Sequence, residues 1–151
     1  MNVTRLFLSV FYILVTSFTG CIVEENEKIM NKVEKDETYL TTIAWSKITQ
    51  DIGNIDEGQS VEVIYEFTNA GKRPLVIKSV NASCGCTVPE KPNEPIMPGK
   101  KGFIKAVFDS KGRPGKNHKT LSVVANTEPS ESHVLAFDVN VNASKPDPES
   151  K

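Results

Sequence analysis

The strongest constraint on this fold lies near the end of the chain, where Leu135, Phe137, Val139 and Val141 alternate with Ala136, Asp138 and Asn140. A period of two puts the four large apolar side chains on one face of an extended strand. The pattern recurs upstream: Val61, Val63, Tyr65 and Phe67 point one way and Glu62, Glu66 and Thr68 the other, with Ile64 the exception. Three further strand-like segments are Leu75 to Val80 after Pro74, Phe103 to Phe108 after Gly102, and Thr120 to Ala125. Asn69-Ala70-Gly71 and Gly112-Arg113-Pro114-Gly115 read as the turns between them. No useful helical period appears between Trp45 and Val141. Five or more short strands with turn signals predict an all-β sandwich over residues 45–142, with a small barrel as the alternative. Connections this short cannot make parallel crossovers, so the pairing should be mostly antiparallel.

Residues 1–20 have the composition of a secretory signal. Arg5 supplies the positive start, and Leu6 to Val15 is apolar apart from Ser9. That stretch is short for a membrane-spanning helix. Thr19-Gly20-Cys21 resembles the lipobox of bacterial lipoproteins, although Phe18 stands where an aliphatic residue is usual. The resemblance implies that Cys21 becomes the mature N-terminus and carries acyl chains. The protein would then be anchored to membrane lipid in a bacterial envelope, periplasmic or surface-exposed. More than one chain is needed for stable anchoring, each buried methylene adding about 0.8 kcal/mol. Residues 21–44 hold Glu24, Glu25, Glu27, Glu34, Asp36 and Glu37 and few large apolar side chains, so a flexible acidic tether is expected. A helix around Ile29 to Val33 would be marginal alone. Residues 143–151, with two prolines and several charges, should form a disordered tail.

Net charge is -1 over 151 residues, which leaves no basic excess for nucleic acid. No activated nucleophile or acid–base pair stands out, and neither cofactor nor metal is expected. Asp109, Ser110 and His118 lack the strand–turn–helix context of a hydrolase nucleophile. His118 and His133 read as solvated side chains, and Trp45 as a seal at the bottom of the core.

Several short pieces share one order: Ile52-Gly53-Asn54-Ile55-Asp56-Glu57-Gly58, Phe67-Thr68-Asn69-Ala70-Gly71, Pro74-Leu75-Val76-Ile77, Ser83-Cys84-Gly85-Cys86-Thr87 and Ile96-Met97-Pro98-Gly99. Together they resemble the bacterial family called domain of unknown function 1573, from about Trp45 to Val141. The resemblance implies an immunoglobulin-like antiparallel β-sandwich, similar to domains of the major sperm protein and Hydin type. It implies no activity.

Cys84 and Cys86 remain once Cys21 is set aside. Residues two apart on a flat strand lie about 6.5–7 Å apart at Cα, at the edge of disulfide reach. Gly85 would allow a tighter bend, and a bridge made that way would be strained and easily reduced. The pair reads as structural thiols or a local disulfide, a redox pair, a copper(I) or zinc site, or a mixed disulfide with a partner. The functional expectation is a non-enzymatic binding or scaffolding module with an unidentified protein partner. The alternative is a thiol-based metal-handling or redox role through Cys84 and Cys86.

Overall fold

The computed structural model describes residues 23–144; residues 1–22 and 145–151, Cys21 among them, lie outside the described part. Residues 23–35 form a helix, α1. Strands follow: β1 (Ile43–Trp45), β2 (Thr49–Asp56), β3 (Ser60–Asn69), β4 (Ile77–Ala82), β5 (Thr87–Glu90), β6 (Lys101–Asp109), β7 (Gly115–Ala125) and β8 (Ser132–Asn142). They form two four-stranded sheets, in the orders β1-β3-β6-β5 and β2-β8-β7-β4.

The period-two segments build the core. Val63, Tyr65 and Phe67 of β3, with Ile104, Ala106 and Phe108 of β6, meet Leu121, Val123 and Ala125 of β7 and Leu135, Phe137, Val139 and Val141 of β8. Cross-strand partners such as Tyr65↔Ile104 and Leu121↔Leu135 keep each inward set on one face. Ile64, the exception in the β3 pattern, points outward. Trp45 packs edge-on against Phe67 at 5.2 Å between ring centroids. Tyr65 reaches between the sheets, its hydroxyl donating to the Ala136 carbonyl at 2.7 Å. Burial pushes its pKa up to about 12.

One pairing departs from the antiparallel expectation: β2 runs parallel to β8. The two strands are separated by most of the domain, so the limit on short connections does not apply to them. The chain crosses between sheets from β1 to β2, and residue 48 already bonds the far sheet, its carbonyl accepting from Ala136 N–H at 2.8 Å.

The expected tether is ordered over its described part. In α1 the protected positions are Asn26, Ile29, Met30 and Val33, a helical stripe. Val33 is only 5% exposed, and it lines a shared hollow with Met30 and Val76. Tertiary contact supplies the stability that a lone helix of this length lacks. Thr41 then bridges Thr127, and β1 starts at Ile43, ahead of the expected boundary at residue 45. At the other end, Ser144 N–H and Oγ both donate to Glu57 Oε2, at 2.9 and 3.0 Å. Those bonds, with one from Gly112 N–H, hold the Glu57 carboxyl below the usual range. The rest of the expected tail lies outside the described residues.

Two buried asparagines organise the loops at one end of the sandwich. Asn69 Oδ1 accepts from Thr41 Oγ1 and Gly71 N–H, while Nδ2 donates to the Arg73 and Ile96 carbonyls, both at 2.8 Å. Asn126 Oδ1 accepts from Val76 N–H at 2.7 Å, and its Nδ2 donates to the Tyr39 and Pro74 carbonyls. Each amide thus satisfies backbone groups that loop burial removes from water. The neighbouring Gly71 is needed for close approach, because a Cβ there would stand 2.1 Å from Thr41 Oγ1 and 2.6 Å from Thr42 N. Asn69→Ala leaves the Arg73 carbonyl, the Gly71 N–H and the Thr41 hydroxyl without this partner, while the Ile96 carbonyl keeps its bond from Leu75 N–H. It should cost about 3 kcal/mol of unfolding free energy in urea titration of the full chain. A loss under about 1 kcal/mol would remove Asn69 from the role of loop organiser.

Candidate functional site

Cys84, Gly85 and Cys86 lie where the chain leaves β4 in one sheet and enters β5 in the other. The two cysteines form a disulfide with Cα atoms 5.3 Å apart. The spacing is shorter than on a flat strand because residues 83–86 turn out of the sheet. The bend does not depend on glycine. Gly85 has no positive φ, and a Cβ added there meets nothing within 4 Å.

Hydrogen bonds pin the corner on both sides of the bridge. Ser83 N–H donates to the Thr120 carbonyl at 3.0 Å, and Thr120 N–H donates to Ser83 Oγ at 3.2 Å. On the other side Asp109 N–H donates to the Cys86 carbonyl at 2.9 Å, and Thr87 N–H to the Cys84 carbonyl at 3.3 Å. Cys86 is 6% exposed and belongs to the core, whereas Cys84 is half-buried at its margin. The buried Thr87 hydroxyl lies 3.7 Å from Cys84 Sγ and 3.9 Å from Cys86 Sγ. Closing so small a loop restrains the unfolded chain little, by about 1.6 kcal/mol on chain-entropy grounds.

The remaining candidate residues are not drawn into one site. Ser110 is buried, its hydroxyl donating to the Asp56 carbonyl at 3.1 Å, and Asp109 accepts from Lys111 N–H. His118 is exposed and pairs with Asp138 at 2.7 Å, beside a shallow groove of about 500 Å³ that Asp51, Asn54, Lys116 and Asn140 also line. Among the described residues no three His, Cys, Asp or Glu side chains converge as a metal-binding group.

His133 differs from the solvated side chain expected of it. Its ring packs 5.9 Å from Trp45, and Nε2 lies 2.7 Å from Thr127 Oγ1. That hydroxyl donates to the Ser130 carbonyl, so Nε2 is the donor in the His–Thr bond. Trp45 Nε1 is buried with no partner among the described residues. The sequence alone does not point to Asn126, to the place of the Thr87 hydroxyl beside the sulfurs, or to this His–Trp contact. For Thr87 the adjacency to Cys86 was the available signal, while Asn126 and His133 carry none in local sequence.

A family model described as a protein of unknown function (DUF1573) matches residues 43–141. The chain belongs to this family. No curated protein matches the sequence. A protein of unknown function from Porphyromonas gingivalis W83 is similar in structure, with TM-score 0.60 at 15% identity over 70% of this chain and 49% of that one. This DUF1573 chain therefore spans about half the length of that relative. The ASH/PapD-like domain of human CEP192 gives 0.50 at 13% identity, over 75% of this chain and 91% of that one. The YadV chaperone gives 0.50 at 15% identity, over 70% and 55%. At such identities the likeness is one of fold, a PapD-like, immunoglobulin-like sandwich.

Two measurements check this geometry. Gly85→Ala should keep the disulfide and leave the melting temperature unchanged or slightly raised, by up to about 1 kcal/mol through the unfolded chain; loss of the bridge on intact mass would contradict it. Burial holds the His133 imidazole below its ordinary pKa, so the unfolded chain takes up that proton first. Its contribution to stability is present above about pH 6.5 and is lost as pH falls through the lower folded value. The melting temperature should fall between about pH 7 and pH 5, with a shallower slope in His133→Gln. Equal slopes would assign the pH response to other groups.

Proposed function

We propose that this chain is a non-catalytic binding module held at a bacterial membrane face by acylated Cys21, recognising a protein partner through the outer face of the β1-β3-β6-β5 sheet. The observation that carries the reading is a set of exposed apolar side chains on that face. Val88 of β5 is 61% exposed, Phe103 of β6 46% and Ile64 of β3 44%. Val88 stands directly opposite Val107, and Ile64 and Phe103 lie on the neighbouring strand pair. Exposed apolar side chains gathered on one sheet face are characteristic of contact surfaces. Charged side chains stand between them: Lys105 is directly opposite Ile64 and Glu66 directly opposite Phe103, and Lys101 bonds Glu66 at 2.7 Å while Lys105 lies 3.7 Å from Glu62.

The PapD-like fold supports recognition over catalysis by analogy alone. Among the described residues no helix is long and apolar enough to cross a membrane, so attachment in this reading rests on Cys21. Helix α1 is already formed at Val23, the first described residue, two positions along the sequence from that cysteine. Its docked stripe would keep the sandwich near the lipid instead of at the end of a loose leash.

The test combines two variants in the full chain. Cys21→Ser should move the protein from the membrane to the soluble fraction and remove the acyl mass. Unchanged membrane retention and mass would refute the anchor. Ile64→Asp with Phe103→Asp should abolish the crosslinked product formed in intact envelopes at that face, with little loss of melting temperature. The same product from wild type and variant would exclude this face as the contact.

A further inference from the structure

We propose that the Cys84–Cys86 disulfide is a thiol–disulfide exchange site, attacked at Cys84 while the sandwich stays folded, and that it oxidises a dithiol partner. The activity goes beyond the binding role above and depends on neither the anchor nor the apolar face. Four observations meet at this corner. The bridge closes a ring of only three residues, so little of the unfolded-state restraint depends on it. Backbone hydrogen bonds hold the chain on both sides, from Ser83 to Thr120 and from Cys86 to Asp109, and none of them runs through the sulfurs.

The two sulfurs are also unequal. Cys86 sits in the core, whereas Cys84 lies at its margin, with nothing within 4 Å of the position a Gly85 Cβ would take. An incoming thiolate therefore has one open target. Finally, the buried Thr87 hydroxyl has both sulfurs as neighbours and no nitrogen or oxygen partner among the described residues. A disulfide sulfur is a weak acceptor; a thiolate is a strong one. The hydroxyl gains a good partner only while a sulfur carries the thiolate charge, which favours the departure of Cys86 as the bridge opens.

The exchange balances as follows. The partner thiolate attacks Cys84 Sγ, the Cys84–Cys86 bond breaks, and its electron pair leaves on Cys86 Sγ, stabilised by Thr87. The partner's second thiolate attacks its own sulfur in the mixed disulfide and expels Cys84 as thiolate. The partner's dithiol becomes a disulfide, and this chain gains two electrons and, on protonation, two thiols.

The test uses the full chain in detergent with glutathione as the probe. Wild type should be reduced while its circular dichroism stays native, at a rate unchanged by low denaturant. With oxidised glutathione, which releases one reduced glutathione per mixed disulfide formed, Cys86→Ser should collect glutathione at Cys84 at least ten times faster than Cys84→Ser collects it at Cys86. Thr87→Val should slow reduction of the bridge by glutathione about tenfold, the worth of one hydrogen bond to the departing thiolate. Reduction whose rate rises with denaturant in step with global unfolding would overturn the proposal and leave a purely structural bridge. Equal reactivity of the two single variants would overturn attack at Cys84. An unchanged reduction rate in Thr87→Val would overturn the role given to its hydroxyl. A variant that fails to fold leaves the wild-type rate measurement to decide.

Discussion

Everything in this molecule depends on two sheets closing on a shared apolar layer. β3, β6, β7 and β8 each turn every second side chain inward, and Phe67, Phe108 and Phe137 are all sealed there. Neither sheet could leave that face in water, since burying each large apolar side chain is worth about 1.5–3 kcal/mol. Close packing brings its own requirements. Gly102 sits under Phe67, where a Cβ would stand 2.4 Å from the ring, so the bare backbone makes room for the aromatic on the paired strand. Phe108 and Phe137 meet edge to face at 5.8 Å across the layer, joining β6 of one sheet to β8 of the other.

Closure in turn dictates where polar chemistry must sit. A chain that serves both sheets has to cross between them, and every crossing takes backbone groups out of a ladder. At one end the buried amides of Asn69 and Asn126 replace the lost ladder partners and draw residues 39–42 against the loops. At the other, the Glu57 carboxylate gathers Gly112 and Ser144 around the β2–β3 turn. The β4–β5 crossing is different, being pinned by main-chain bonds from both flanking sheets and bridged by cysteines as well. Since the bonds already satisfy the corner, the bridge is free of the duty that fixes the asparagines.

The parts legible in sequence were those marked by regular periodicity or by turn signals. Strands β3 and β8 follow from their alternation, β4, β6 and β7 from short apolar runs beside turn signals, and the DUF1573 pieces fall where the family model matches. Strand β2 was hidden because Gly53, at φ 78°, sits in a bulge between Asp51 and Asn54. The bulge turns Ile52 and Ile55 toward the core three residues apart and breaks the period of two. Strand β5 is four residues with a proline at the sheet edge, too short for any period to show. Helix α1 was weighed on local stability alone. Its Asn26, Ile29, Met30 and Val33 spacing was visible, but the surface that makes the stripe useful comes from Val76, more than forty positions away.

The candidate site shows the same division. Sequence locates both cysteines but not their inequality, because burial of Cys86 and partial exposure of Cys84 depend on how the β4–β5 corner sits against the core. Nor does it reveal that Thr87, paired with Phe108 on β6, has its hydroxyl held beside the sulfurs by a strand register set elsewhere. Register is a global property: moving β5 by one residue would turn that hydroxyl to the opposite face and put Val88 in its place. The chemistry open to the corner is therefore fixed by the same closure that fixes the core. The sheet holds Thr87 inward and Val88 outward, so the thiol site and the exposed apolar set stand on opposite faces of one edge strand.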